Sequence, residues 1–263
     1  MSTTIAISNQ KGGVAKTTTC LSLGACLAEM GQIVLIVDLD PQTNLTLSMG
    51  LKPNDLRYTI DDALLGNTSL VSISRESEVF GLDIIPADHS LAVLDKILYG
   101  RKNYEFYLKR GLDTMDRDLY DIVLIDCPPS FSTLTLNALT AANLLIIPVQ
   151  CEYYAVHSLR KTIELANLVR KRTNPRLTYR VLVTMYDQRN KISRLILDQM
   201  QEGMNEILFE AVIGIDTKLR ESPVFGQPIT LYEPDTRGAK QYRDLAEELL
   251  SGYLQENGQN KPR

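Results

Sequence analysis

Four cysteines, Cys20, Cys26, Cys127 and Cys151, are spread through the 263 residues without a single CxxC pair. That scatter argues against a zinc site and supplies no disulfide framework, so a reducing cytoplasm is the expected setting. A large excess of charge of one sign is lacking as well: 28 Lys and Arg stand against 32 Asp and Glu, a formal net charge of -4. No global field draws such a chain to a polyanion, and any nucleic-acid contact has to come from a local basic patch. Nowhere do about 18 apolar residues run uninterrupted, so neither a transmembrane helix nor an integral membrane contact is expected. The start, Met1-Ser2-Thr3, lacks the charged and apolar regions of a secretory signal, and none is expected.

What is present is a 44% hydrophobic content, enough to bury a substantial core. Continuous apolar runs at residues 4–8, 33–38, 121–126 and 144–149 read as strands buried on both faces, as in a parallel sheet covered by helices. Residues 180–184 read as another strand, and residues 17–30, 134–142, 158–171, 192–207 and 238–254 carry helical spacing. The repeated order of strand then helix predicts an α/β fold with a doubly wound, mainly parallel sheet flanked by helices. Residues 1–263 read as one domain, with 255–263 as a flexible polar tail and the irregular stretch 52–117 decorating one sheet edge.

Chemistry enters at Lys11-Gly12-Gly13-Val14-Ala15-Lys16-Thr17-Thr18, between the first strand and the first helix. A polyphosphate needs converging backbone N–H groups, a helix N-terminus, a lysine for the β/γ-phosphates and a hydroxyl for Mg²⁺. Glycines keep Cβ atoms clear of the oxygens, and Lys16 and Thr17 supply the lysine and the hydroxyl. The stretch departs from GxxxxGK[ST] at both glycines: Gln10 opens the loop ahead of Lys11, and Ala15 stands in the last glycine position. If that position needs a positive φ, alanine there is strained by about 1 kcal/mol or more.

Acids close the pattern. Asp38 and Asp40 follow the second strand, in Asp38-Leu39-Asp40-Pro41-Gln42, and Asp126 ends the run Ile122-Val123-Leu124-Ile125. In a doubly wound sheet the carboxyl ends of strands line the ligand crevice. Asp126 is thereby a candidate Mg²⁺ ligand, directly or through water, beside Thr17. Asp40 is the candidate for positioning the attacking water and a possible water-mediated metal contact; Asp38 fits a turn cap before Pro41 about as well as a site role.

The sequence KGGxxKTT with its extra lysine resembles the deviant Walker A loop of the ParA, MinD and nitrogenase iron-protein superfamily of P-loop ATPases. DxDPQ matches the same family, and further stretches resemble its ParA/Soj partition branch. These are residues 147–155, Leu182-Val183-Thr184-Met185, residues 223–229, and Gly238-Ala239 with Tyr242 and Leu245-Ala246. The resemblance implies a weak ATPase using ATP/ADP and Mg²⁺, with Lys11 reaching across a homodimer to the partner's nucleotide, and Lys11, Lys16 and Asp40 as catalytic residues. It implies as well non-specific binding of double-stranded DNA by the ATP dimer on the nucleoid. A ParB/Spo0J-like activator would stimulate hydrolysis, to segregate chromosome or plasmid DNA. Positioning of a protein assembly, or action at the membrane surface like MinD, is the alternative; the second needs a basic amphipathic C-terminal helix, whereas residues 241–255 carry Asp244, Glu247 and Glu248.

Candidate DNA contacts are Arg189, Lys191 and Arg194 around one loop and helix start, and Lys218 and Arg220 in a second loop. Gly214-Ile215-Asp216-Thr217 stands where many relatives carry a Pro-Arg-containing stretch, one cation fewer. Arg170, Lys171 and Arg172 read as an exposed helix end. Tyr153, Tyr154, His89 and His157 read as packing or loop residues, and Cys127 as a poor iron–sulfur ligand.

Overall fold

The computed structural model describes residues 2–116, 118–152 and 155–254; the expected tail, residues 255–263, and Tyr153 and Tyr154 lie outside them. Eight strands form one sheet: β1 (Thr3–Ile7), β2 (Val34–Asp38), β3 (Arg75–Glu76), β4 (Leu82–Ile85), β5 (Ile122–Asp126), β6 (Leu144–Gln150), β7 (Thr178–Tyr186) and β8 (Leu208–Gly214). Their order is β3-β4-β2-β5-β1-β6-β7-β8, and every pairing is parallel except the antiparallel β3–β4 edge.

The apolar runs become central strands because alternate side chains feed two separate cores. Val34 and Ile36 of β2, with Ile122 and Leu124 of β5, enter the layer beneath helices Lys16–Glu29 and Arg237–Glu248. Leu35, Val37, Val123 and Ile125 enter the opposite layer, covered by helices Leu91–Leu98, Thr133–Ala141, Ala155–Arg172 and Lys191–Met204. Helix Lys16–Glu29 lies close on the sheet at Gly24, where a Cβ would sit 2.9 Å from Ile36 Cγ2. It must therefore remain glycine or push the helix outward.

Three strands, β3, β4 and β8, had no counterpart in the sequence reading. Leu82–Ile85 falls inside the irregular stretch 52–117; that stretch does build the β3–β4 edge, but β4 also pairs along its length with β2. Only four residues long and closed by Pro86, β4 is too short for a periodic signal. Leu208–Gly214 is the other edge, where Glu210 is exposed. Helix 192–207 ends at Met204, followed by a 3₁₀ turn Asn205–Ile207, and the C-terminal helix is α-helical over Arg237–Glu248, then turns π-helical over Leu249–Leu254. Among the described residues, no helix is long and apolar enough to cross a membrane.

Register then places the chemistry. Ile7 pairs with Asp126 and Asp126 with Asp38, so the ends of β1, β5 and β2 stand side by side where the glycine loop leaves the sheet.

Candidate active site

The loop after β1 is held from behind. Gln150 Nε2 donates to the Gly13 carbonyl at 2.9 Å and Thr184 Oγ1 to the Val14 carbonyl at 3.1 Å. Because N–H and C=O of a trans peptide point in opposite directions, the N–H groups of Val14 and Ala15 face away from β6 and β7. Asn9 ties down the loop's entry, giving Nδ2 to Pro148 O at 2.7 Å and accepting Lys11 N–H at 3.0 Å. Gly12 and Gly13 have open space where a Cβ would sit, and Gly13 has φ 71. Neither glycine is demanded by packing against a neighbour; the space in front of them is a cradle.

That cradle opens into a cleft of about 470 Å³, lined by Gly12, Gly13, Ala15, Lys16, Thr17, Thr18 and Asp40 on the loop side. Met185, Ile213, Leu219 and Pro223 line another part, with Tyr242. Ala15 is left-handed, φ 63 and ψ 32, so the final loop position does require a positive φ and alanine adopts it under strain. Val14, of the sequence-identified segment, is instead buried.

Lys16 is buried and donates Nζ to Lys11 O at 3.3 Å. Desolvation holds its ammonium below the ordinary lysine range, and Asp126 and then Asp40 oppose that shift. Thr17 Oγ1 donates to Asp126 Oδ2 at 2.6 Å, while Asp126 Oδ1 is buried with no hydrogen-bond partner. Burial first, and the neighbouring Asp38 second, hold the Asp126 carboxyl well above the usual carboxylate range. An orphaned, fully buried carboxylate oxygen beside a threonine hydroxyl fits a hard divalent cation that brings its remaining oxygens with it.

The two acids after β2 separate. Asp38 is fully buried and accepts Asp40 N–H at 3.1 Å, Thr46 N–H at 2.8 Å and Thr46 Oγ1–H at 2.7 Å; burial pushes its carboxyl up to about 6. It is a capping post for the loop and the short helix Asn44–Ser48, which selects the turn-cap alternative for this residue. Asp40 is turned to the cleft, its Oδ1 accepting Gln42 N–H at 2.9 Å.

Lys11 is folded back on its own chain, Nζ 2.5 Å from Glu152 Oε2 and 3.2 Å from Gln150 Oε1. Of the basic candidates, Arg189 meets loop residues 215–217 around a second cavity of about 570 Å³ that also includes Arg237. Arg189 is paired with Asp187 at 3.1 Å and Lys218 with Glu221 at 2.7 Å, while Arg194 donates to Gln188 O at 2.6 Å. Lys191 is exposed at the start of helix Lys191–Met204. Arg220 lines the main cleft instead of the second cavity.

Asn9, Gln150, Thr184 and Arg237 escaped the sequence reading as site residues. Their partners lie far away in sequence, and the available signal was a polar residue near the carboxyl end of an apolar run, as Gln150 follows Val149.

Comparison with known proteins agrees with this geometry. A family model described as an AAA domain matches residues 2–179. The chain is 42% identical to the sporulation initiation inhibitor protein Soj of Bacillus subtilis, over 94% of this chain and 98% of that protein. It is 38% identical to the chromosome partitioning protein ParA of Caulobacter vibrioides, over 94% and 93%. The structure of a Mycobacterium smegmatis protein described as cobyrinic acid a,c-diamide synthase, with bound ADP and magnesium, superposes with a TM-score of 0.84 at 36% identity, covering 100% of this chain and 98% of that one. With its deviant phosphate loop, its acids at the ends of β2 and β5 and this near full-length similarity, the chain belongs to the ParA/Soj family of partition ATPases.

Proposed function

We propose that the protein binds ATP-Mg in the main cleft, forms a nucleotide-sandwich homodimer, holds double-stranded DNA without sequence preference as that dimer, and hydrolyses ATP slowly. A ParB-like partner would stimulate hydrolysis and so reset the switch during segregation of chromosome or plasmid DNA. The observation that carries the reading is the cradle itself: two glycines facing open space, Lys16 between two acids, and Thr17 on Asp126 with one carboxylate oxygen unpartnered.

Lys16 neutralises the β/γ-phosphates, and the N–H groups of the loop and of the first turn of helix Lys16–Glu29 donate to their oxygens. Thr17 and Asp126 are the residues that would hold Mg²⁺, which would supply positive charge against the phosphates. Asp40 orients the attacking water; phosphoryl transfer needs positioning more than covalent chemistry, so one carboxylate suffices and turnover is slow until a partner completes the site. Lys11 is assigned to the partner's nucleotide in the dimer. ADP and magnesium in the M. smegmatis relative support the choice of ligand.

For DNA, Arg189, Lys191 and Arg194 offer exposed cations, Lys218 a half-buried one just after the loop 215–217 that shares a cavity with Arg189, and Arg220 lies closer to the nucleotide. The pairs Arg189–Asp187 and Lys218–Glu221 are reached by solvent, which screens them, so either cation can exchange its carboxylate for a phosphate. The C-terminal helix does not favour membrane docking: Tyr242, Leu245 and Ala246 are wholly buried against the core.

The test is the solution mass of the Asp40→Ala variant with ATP-Mg, with ADP, and with short non-specific duplex added. A dimer with ATP alone that then shifts onto DNA, with hydrolysis abolished, is the expected outcome. A monomer in every condition, or wild-type turnover, overturns the reading; a dimer that ignores DNA and instead floats with anionic vesicles moves the function to the membrane surface.

A further inference from the structure

We infer that Gln150 and Glu152 form a dock for Lys11 within its own chain, and that this dock must open before the proposed dimer can form; the inference rests on the assignment of Lys11 to the partner's nucleotide. Lys11 Nζ lies 2.5 Å from Glu152 Oε2 and 3.2 Å from Gln150 Oε1. Both acceptors stand at the end of β6 or just beyond it.

The dock is prepared by the loop. Gln150 is buried, and its Nε2 is committed to Gly13 O at 2.9 Å. An amide with its nitrogen so engaged has its oxygen to offer, and that oxygen faces Lys11. The group that fixes the phosphate loop from behind is thus the group that receives the lysine. Lys11 N–H is separately bonded to Asn9 Oδ1, which anchors the backbone while the flexible four-carbon stem remains able to swing.

Release is a competition between carboxylate and phosphate. The Glu152 side chain is 59% exposed and that of Lys11 28%, so the pair is screened by solvent and holds the lysine loosely. A triphosphate presents more negative charge than one carboxylate and draws the ammonium out; a diphosphate, lacking the γ-phosphate, draws it less strongly than the triphosphate does. The dock thereby sets a threshold favouring ATP over ADP. A symmetric dimer opens two docks, so the dimerisation constant carries the effect squared.

Solution mass across a protein dilution series, with Mg²⁺ and a non-hydrolysable ATP analogue, tests the dock in wild type, Glu152→Gln and Lys11→Ala. Glu152→Gln should dimerise at about 5- to 25-fold lower concentration, from about fivefold per exposed pair opened. It should show some dimer with ADP and bind the analogue as wild type does when monomeric. If Lys11→Ala stays monomeric but Glu152→Gln dimerises at the wild-type concentration or higher, the dock is wrong and the trans role stands. If Lys11→Ala dimerises like wild type, the trans role falls and the dock with it.

Discussion

The two ends of the sheet are built from the same kinds of strand and finished in opposite ways. At the amino ends, polar groups are matched: Asn143 Oδ1 accepts Thr4 N–H at 2.8 Å, Asp121 Oδ2 accepts Ile33 N–H at 2.9 Å, and Asn174 Nδ2 donates to Leu139 O and Ala142 O. At the carboxyl ends, Ala15, Thr43 and Met185 all have positive φ, which among the described residues leaves Asn103 as the one other non-glycine case. Two buried oxygens there, Thr43 Oγ1 and Asp126 Oδ1, have no hydrogen-bond partner. Strained backbone of this kind costs about 1–3 kcal/mol per residue and persists only where the surrounding fold enforces it. The contrast locates the site by where the fold is least relaxed, independently of any motif.

Substitutions at each end sharpen the contrast. The largest effect belongs to Lys16→Gln, which should lower ATP affinity by about 100-fold or more in calorimetry while leaving the circular dichroism spectrum unchanged; tight binding in that variant would remove the lysine from the phosphate site. Next is Asn143→Ala at the opposite end, expected to reduce unfolding free energy by about 1–3 kcal/mol in urea titration with nucleotide affinity intact. A drop in affinity would show that the two ends are not independent. Smaller again is Ala15→Gly, which relieves a left-handed alanine and should add about 1 kcal/mol, roughly 2–4 °C in Tm for a chain of this size, with ATP bound at least as tightly. Destabilisation there would mean that the alanine methyl packs productively.

The smallest signal is a proton. The Asp126 carboxyl is raised, so the ligand-free protein retains its proton to higher pH than an ordinary carboxylate would, and a cation placed beside it expels that proton. ATP-Mg affinity should therefore strengthen as pH rises, with proton release measurable by calorimetry in buffers of different ionisation heat. Asp126→Asn should abolish the release.

What could be read in advance follows from the range of the interactions. The central strands and the phosphate loop are local: apolar runs ending in Asp38 and Asp126, and a glycine pair before Lys16-Thr17, declare themselves within a few residues. Strands β4 and β8 did not, because one is four residues long and the other bears the exposed Glu210 within its run. The division of labour between Asp38 and Asp40 was equally hidden, since it depends on Thr46 turning back to claim Asp38. Gln150 and Thr184 reach the loop across 137 and 170 residues of sequence, a distance at which no periodicity carries information.

One such long reach bears on how the molecule comes into being. Thr19, in the first turn of the phosphate-loop helix, and Tyr242, in the last α-helix, meet through their hydroxyls at 3.0 Å, and Tyr242 also lines the cleft. During synthesis the phosphate loop is thus among the first parts made and among the last to be finished, because its supporting helix stays uncovered until residues 237–248 arrive. A nascent or prematurely terminated chain would carry the whole glycine-lysine signature yet lack a wall of its own binding site.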